Sequence, residues 1–191
     1  MALADFKISF GARGAQYTKE DKDIVLSTME GRSGLTQGRW QERFEQSFCS
    51  RFSLDSAFAT SSCTGALELA AILCQLKPGD EVIAPAHTFA ATALPFARTG
   101  ATIRWADIEP DTWVISADSV ASLITDKTKV LVVVHLYGVP ADMDTLLELA
   151  KANDIIVIED CAQALGATFN NKPVGGFGEA SCFSFHSHKI I

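Results

Sequence analysis

One lysine near the C-terminal end closes the segment Ser184-Phe185-His186-Ser187-His188-Lys189, a Ser-x-x-x-x-Lys spacing. Upstream, the apolar run Ile155-Ile156-Val157-Ile158 leads into Glu159-Asp160-Cys161-Ala162-Gln163. A lysine amine condenses with an aldehyde to form an imine. A carboxylate at the end of a buried strand can keep a pyridine nitrogen protonated, so that the ring accepts electrons. Those are the two groups that a pyridoxal-phosphate enzyme requires.

A second segment, Thr60-Ser61-Ser62-Cys63-Thr64-Gly65-Ala66-Leu67, reads as a turn of small hydroxyl residues that opens a helix. Free N–H groups at a helix start, with hydroxyls beside them, suit a phosphate. Ordinary Ser/Thr capping explains the same residue types. It is not a Walker loop, which would end in Gly-Lys-Ser/Thr. Phe89, after Pro85-Ala86-His87-Thr88, is either a core residue or a face for a flat ring. Asp160 follows β-branched residues and must meet a cation or several donors, either a ring N–H or the start of a following helix. His186 and His188 flank Lys189 without a third ligand at useful spacing, so no metal site is expected. Cys161 and Cys182 lie beside these motifs and read as packing residues.

The elements that must position these groups alternate along the chain. Thr18 caps a helix over Thr18–Met29, with Asp21 three residues on, after a loop over Gly11–Tyr17. Gly31-Arg32-Ser33-Gly34 breaks it. Trp40, Phe44 and Phe48 recur every four residues, which predicts an amphipathic helix over Arg39–Arg51 whose aromatic stripe packs into the core. Strands are expected at Ala57–Thr60, Glu81–Ala84, Thr102–Ala106, Lys129–His135, Ile155–Glu159 and Ala180–Phe185. Helices are expected at Thr64–Leu76, Thr88–Arg98, Asp118–Ile124 behind Ser116, and Met143–Asn153. Strands this apolar are buried on both faces, so the fold class is α/β, a mostly parallel sheet flanked by helices on each side. Ligands in such sheets bind beyond the carboxyl ends of the strands. Thr60-Ser61-Ser62, Pro85-Ala86-His87, His135, Asp160 and the loop before Lys189 all fall there.

Composition narrows the alternatives. The 191 residues are 48% apolar and 20% charged, with a formal net charge of −7, a globular profile that lacks the clustered Lys and Arg favoured by nucleic acid or anionic membrane. Cys49, Cys63, Cys74, Cys161 and Cys182 are odd in number and form no C-x-x-C pair, which suits reduced thiols in a cytoplasmic protein. Met1–Phe10 has no long apolar stretch and is no signal peptide, and the run Val130–Val134 is too short to span a bilayer.

Taken in order, these segments resemble the DegT/StrS sugar aminotransferases, fold-type I pyridoxal-phosphate enzymes. The resemblance runs from Gly34-Leu35-Thr36-Gln37-Gly38 through Pro78-Gly79-Asp80-Glu81-Val82, Thr88-Phe89, His135-Leu136-Tyr137-Gly138 and Glu159-Asp160-Cys161-Ala162-Gln163-Ala164 to Ser184-Phe185-His186-Ser187-His188-Lys189. It implies a three-layer α/β/α large domain with pyridoxal 5'-phosphate as cofactor. Lys189 would be the catalytic Schiff-base lysine, Asp160 the partner of the pyridine nitrogen, and Gln163 the neighbour of the ring hydroxyl. Phe89 would stack on the ring, while Ser62, Cys63, Thr64 and Ser184 surround the phosphate. Cys63 stands where the family commonly has Gly.

The same resemblance implies a nucleotide-linked keto sugar as substrate, an amino acid such as glutamate as donor, and a homodimer, with neither nucleic acid nor membrane as partner. Some relatives are dehydrases with His in place of the lysine; Lys189 favours transamination. The expected division is an N-terminal helical segment over 1–55 and an incomplete cofactor-binding large domain over 56–191, with the family's C-terminal domain absent and the chain a fragment. The rival readings are a non-catalytic half that binds a partner chain and a dehydrase relative. A nucleotide-binding Rossmann domain lacks its Gly-x-Gly-x-x-Gly.

Overall fold

The computed structural model describes residues 17–31 and 38–189. The segment Gly34–Gly38 and the loop and break expected at 11–17 and 31–34 lie wholly or largely outside these residues. Helix α1 (Lys19–Glu30) starts from a reciprocal cap: Thr18 Oγ1 accepts the Asp21 N–H, and the Asp21 carboxylate accepts the Thr18 N–H. Helix α2 (Arg39–Phe52) follows. Then come α3 (Cys63–Leu73), β1 (Glu81–Pro85), α4 (Ala90–Ala97), β2 (Thr102–Ala106), α5 (Ala117–Leu123) and β3 (Thr128–Val134). Helix α6 (Met143–Ala152), β4 (Ile156–Asp160), the short β5 (Thr168–Phe169) and β6 (Lys172–Pro173), and β7 (Ala180–Cys182) complete the order.

Five strands form one sheet in the order β2-β1-β3-β4-β7, and every neighbouring pair is parallel. Alternation along the strands splits the core in two. Leu131, Val133 and Val157 face one side with α5 and α6, around Val120, Met143 and Leu146. Val130, Val132 and Ile158 face the other with α3 and α4, around Leu67, Ala70 and Phe96. The expected three layers are present. No helix among the described residues is long and apolar enough to cross a membrane.

Two expectations are corrected, and one element is added. Ala57–Thr60 is not a strand: the Ala59 N–H donates to Glu45 Oε1 of α2 at 2.7 Å, so this backbone is held by a side chain rather than by a sheet neighbour. The last strand stops at Cys182, because Phe183 and Phe185 turn away to pack edge-on against Phe48 and Phe44 of α2. The β5–β6 hairpin was not anticipated, although Asn170 and Asn171, with φ of 48° and 63°, are the residues a two-residue hairpin turn favours. Ser116 does precede α5, but its hydroxyl makes no cap hydrogen bond.

A buried acid ties the strand ends together. Glu159 is fully buried, and its two oxygens accept four hydrogen bonds: His135 Nε2–H at 3.0 Å and the backbone N–H groups of Gly175, Phe177 and Gly178, each at 2.7 Å. His135 Nδ1 accepts the Ala141 N–H at 3.1 Å, which leaves the proton on Nε2 and the imidazole neutral. Burial pulls the Glu159 carboxyl upward, but the donors, His135 foremost, together hold it below its ordinary value. A group depressed on folding stabilises the protein above its unfolded value and loses that contribution as pH falls through its folded value. Glu159→Gln turns an NH2 toward donors, so it should lower unfolding free energy by about 2–4 kcal/mol at neutral pH. Urea denaturation should show that gap closing as pH drops below 4.5, the ordinary value of this carboxyl. A gap constant across that range would disprove the anionic anchor.

Candidate active site

A cleft of about 730 Å3 opens at the carboxyl ends of β3, β4 and β7. The structure brings Ser62, Cys63, Thr64, Phe89, Asp160, Gln163, Ser184 and Lys189 together around it. They come from four separate elements, and only the crossovers of the parallel sheet bring them into one space. His87 and His135, also expected at strand ends, are not part of its lining. His87 packs against Trp113 and Tyr137, and His135 is consumed beneath the sheet by Glu159.

The floor of the cleft is the first turn of α3. Ser62 is its N-cap, and Ser62 Oγ accepts the Gly65 N–H at 3.1 Å. The amides of Cys63 and Thr64 have no partner among the described residues. Capping and anion binding are therefore compatible here. One donor is satisfied internally and two remain, at the positive end of the helix dipole. The Cys63 side chain is accommodated without a left-handed backbone and packs against the α3–α4 face of the core.

Asp160 forms the inner wall and is 5% exposed. Its Oδ1 accepts the Ala162 N–H at 3.0 Å and its Oδ2 accepts the Thr92 hydroxyl at 2.7 Å. A carboxylate can accept about four hydrogen bonds, so lone pairs remain toward the cleft. Gln163 Oε1 accepts the Tyr137 N–H at 3.2 Å, which orients its amide nitrogen as a donor. Phe89 is the N-cap of α4 and 74% exposed, so the core reading of this ring fails. Lys189 sits on the opposite strand-end loop, with its backbone N–H on the His186 carbonyl at 2.8 Å.

Phe44 and Phe48 of the α2 stripe also line the cleft, while packing on Phe183 and Phe185. The stripe expected to be core is instead a half-exposed wall: no residue of α2 is buried, and Phe44 is 43% exposed. Thr92 was missed. Its signal was the spacing Thr88-x-x-x-Thr92, which on the helix expected over Thr88–Arg98 sets two hydroxyls on one otherwise apolar face; in the structure Thr88 precedes the N-cap and still reaches Thr92 Oγ1 at 2.8 Å. His135, Glu159 and Cys161 lie close enough to share an ion, but Glu159 and both His135 nitrogens are already committed to hydrogen bonds.

An α/β/α sheet with a lysine, a strand-end acid and a helix N-terminus converging on one cleft is the large-domain architecture of fold-type I pyridoxal-phosphate enzymes. Residues 16–191 match the DegT/DnrJ/EryC1/StrS aminotransferase family, and the chain belongs to that family. It is 38% identical over 174 residues to the GDP-perosamine synthase of Escherichia coli O157:H7, covering 91% of this chain and 48% of that protein. The aminotransferase of Psychrobacter cryohalolentis superposes with a TM-score of 0.86 at 35% identity, over 92% of this chain and 45% of the other. The Streptococcus pneumoniae protein Spr1654, described as a sugar aminotransferase and solved in its PLP form, superposes at 0.86 with 32% identity, over 96% and 50%. The chain thus spans about half the length of the relatives it matches.

Burial and the Asp160 charge push the Cys63 thiol up to about 12, against an opposing pull from Lys189. The thiol is therefore protonated at neutral pH and acts as a small packing group. Its alkylation rate, followed by mass spectrometry, should rise steeply only at strongly alkaline pH. An inflection near pH 8 would contradict this.

Proposed function

We propose that this chain supplies, in residues 56–191, part of the cofactor-binding large domain of a pyridoxal 5'-phosphate-dependent aminotransferase for nucleotide-linked keto sugars. The donor is an amino acid, glutamate by the family resemblance, and the whole protein is a cytoplasmic homodimer. In this reading residues 1–55 are a separate N-terminal segment, and the aromatic stripe of its helix α2 packs on the loop before Lys189. The observation that carries the reading is the meeting of Lys189, under-donated Asp160 and the two free amides of α3 in one cleft.

These residues fit the cofactor. The amides of Cys63 and Thr64, with the Ser62, Thr64 and Ser184 hydroxyls, would hold the phosphate. Asp160 would accept the pyridine N–H, Gln163 would donate to the ring hydroxyl, and Phe89 would cover a ring face. Bound there, pyridoxal phosphate supplies an aldehyde for amine exchange and a ring that accepts electrons from the substrate carbon. Lys189 Nζ would be the amine that bonds the aldehyde carbon and, once released, the base that takes the proton from the donor's α-carbon. Asp160, itself buried, would keep the ring nitrogen charged by accepting the hydrogen bond of its proton. A lysine rather than a histidine at position 189 supports transamination over dehydration.

The name of the Escherichia coli relative refers to a GDP-linked amino sugar, which supports a nucleotide-sugar substrate. The five free thiols support a reducing compartment. Lys189→Ala should abolish the lysine-linked visible absorbance of the protein. It should also slow amino transfer from glutamate to a nucleotide keto sugar by roughly 10^2–10^4-fold or more. An alanine protein that retained both properties would overturn the assignment.

A further inference from the structure

Thr92 is 1% exposed, and its hydroxyl donates to Asp160 Oδ2 at 2.7 Å across 68 positions of sequence. A helical threonine ordinarily bonds back to the carbonyl one turn earlier; this one reaches out of α4 to the end of β4. Thr92 Oγ1 also lies 2.8 Å from Thr88 Oγ1. The one hydroxyl hydrogen of Thr92 is spent on Asp160, so Thr88 must be the donor in that pair. The result is a directed chain, Thr88 to Thr92 to Asp160, that runs from the cleft wall to the buried acid.

We propose that Thr92, supported by Thr88, is the positioning residue that sets the Asp160 carboxylate against the cofactor's ring nitrogen. The proposal rests on the functional reading above. With Oδ1 held by the Ala162 N–H and Oδ2 by Thr92, the plane of the carboxylate is fixed from both sides. Its remaining lone pairs can meet a ring N–H without reorganisation. The Phe89 carbonyl accepts the Thr92 N–H at 2.9 Å, so one helix start carries both the aromatic face and the hydroxyl that aims the acid. Ring stacking and ring protonation are thereby tied to a single rigid element.

The test uses the purified whole protein with Thr92→Val, Thr92→Ser and Thr88→Val. Each is loaded with pyridoxal phosphate or with its 1-deaza analogue, which carries C–H in place of the ring nitrogen. With the natural cofactor, Thr92→Val should weaken binding roughly tenfold. It should also move the pH midpoint of the bound chromophore upward, because a ring nitrogen held less firmly protonated leaves less positive charge across the ring. Thr92→Ser should restore both within about twofold, and Thr88→Val should show a smaller loss of roughly threefold in the same direction. With the analogue, Thr92→Val and wild type should bind alike, since no ring N–H remains for Asp160 to accept. A Thr92→Val protein that matches wild type with the natural cofactor, or that loses as much with the analogue, overturns the proposal and leaves the functional reading standing. A wild type that forms no chromophore with pyridoxal phosphate removes both.

Discussion

Two adjacent carboxylates at the end of a buried parallel strand set the terms for this structure. Glu159 and Asp160 are both desolvated, so each must find partners. Strand alternation sends them to opposite faces of the sheet. Glu159 points to the side of α5 and α6, where a histidine and three loop amides saturate it. Asp160 points to the side of α3 and α4, where it receives two donors and retains capacity for another. One acid is saturated by the fold, and the other keeps acceptor capacity at the wall of the cleft.

The satisfied acid supports the open one. By gathering the amides of Gly175, Phe177 and Gly178, Glu159 pins the loop that delivers β7, and β7 in turn leads to Ser184 and Lys189. The close fit leaves little slack there. A Cβ added to Gly178 would lie 2.5 Å from the Val157 carbonyl oxygen, and one added to Gly175, at φ +91°, would lie 2.4 Å from the Phe183 ring. Phe183 and Phe185 then fold onto α2 and close the cleft on the lysine side. Packing at the base of the sheet is therefore coupled to the placement of the amine.

The cleft joins groups that are chemically weak when separate. Helix amides without partners attract an anion, a half-satisfied carboxylate attracts an N–H donor, and an exposed aromatic ring offers a flat face. Each has an ordinary structural explanation alone. Their convergence on one cavity at the carboxyl ends of the strands is what supports the proposed cofactor there.

Sequence pattern determined the alternation of strands and helices and the parallel sheet, and the family resemblance named eight of the residues that gather at the cleft. Those signals are local: β-branched runs such as Lys129–Val134, the Thr18 cap, and the ordered motifs ending at Lys189. Tertiary structure alone decided which partner each polar group takes. The backbone at Ala57–Thr60 has a strand-like composition but is captured by Glu45. Phe89 could have been core yet stands exposed, and His135 at a strand end is withdrawn beneath the sheet. Thr92 acquires meaning only through Asp160, 68 positions away. Hydrogen bonds between groups distant in sequence leave no periodic trace, because they depend on where the crossovers bring the chain together rather than on what stands beside each residue.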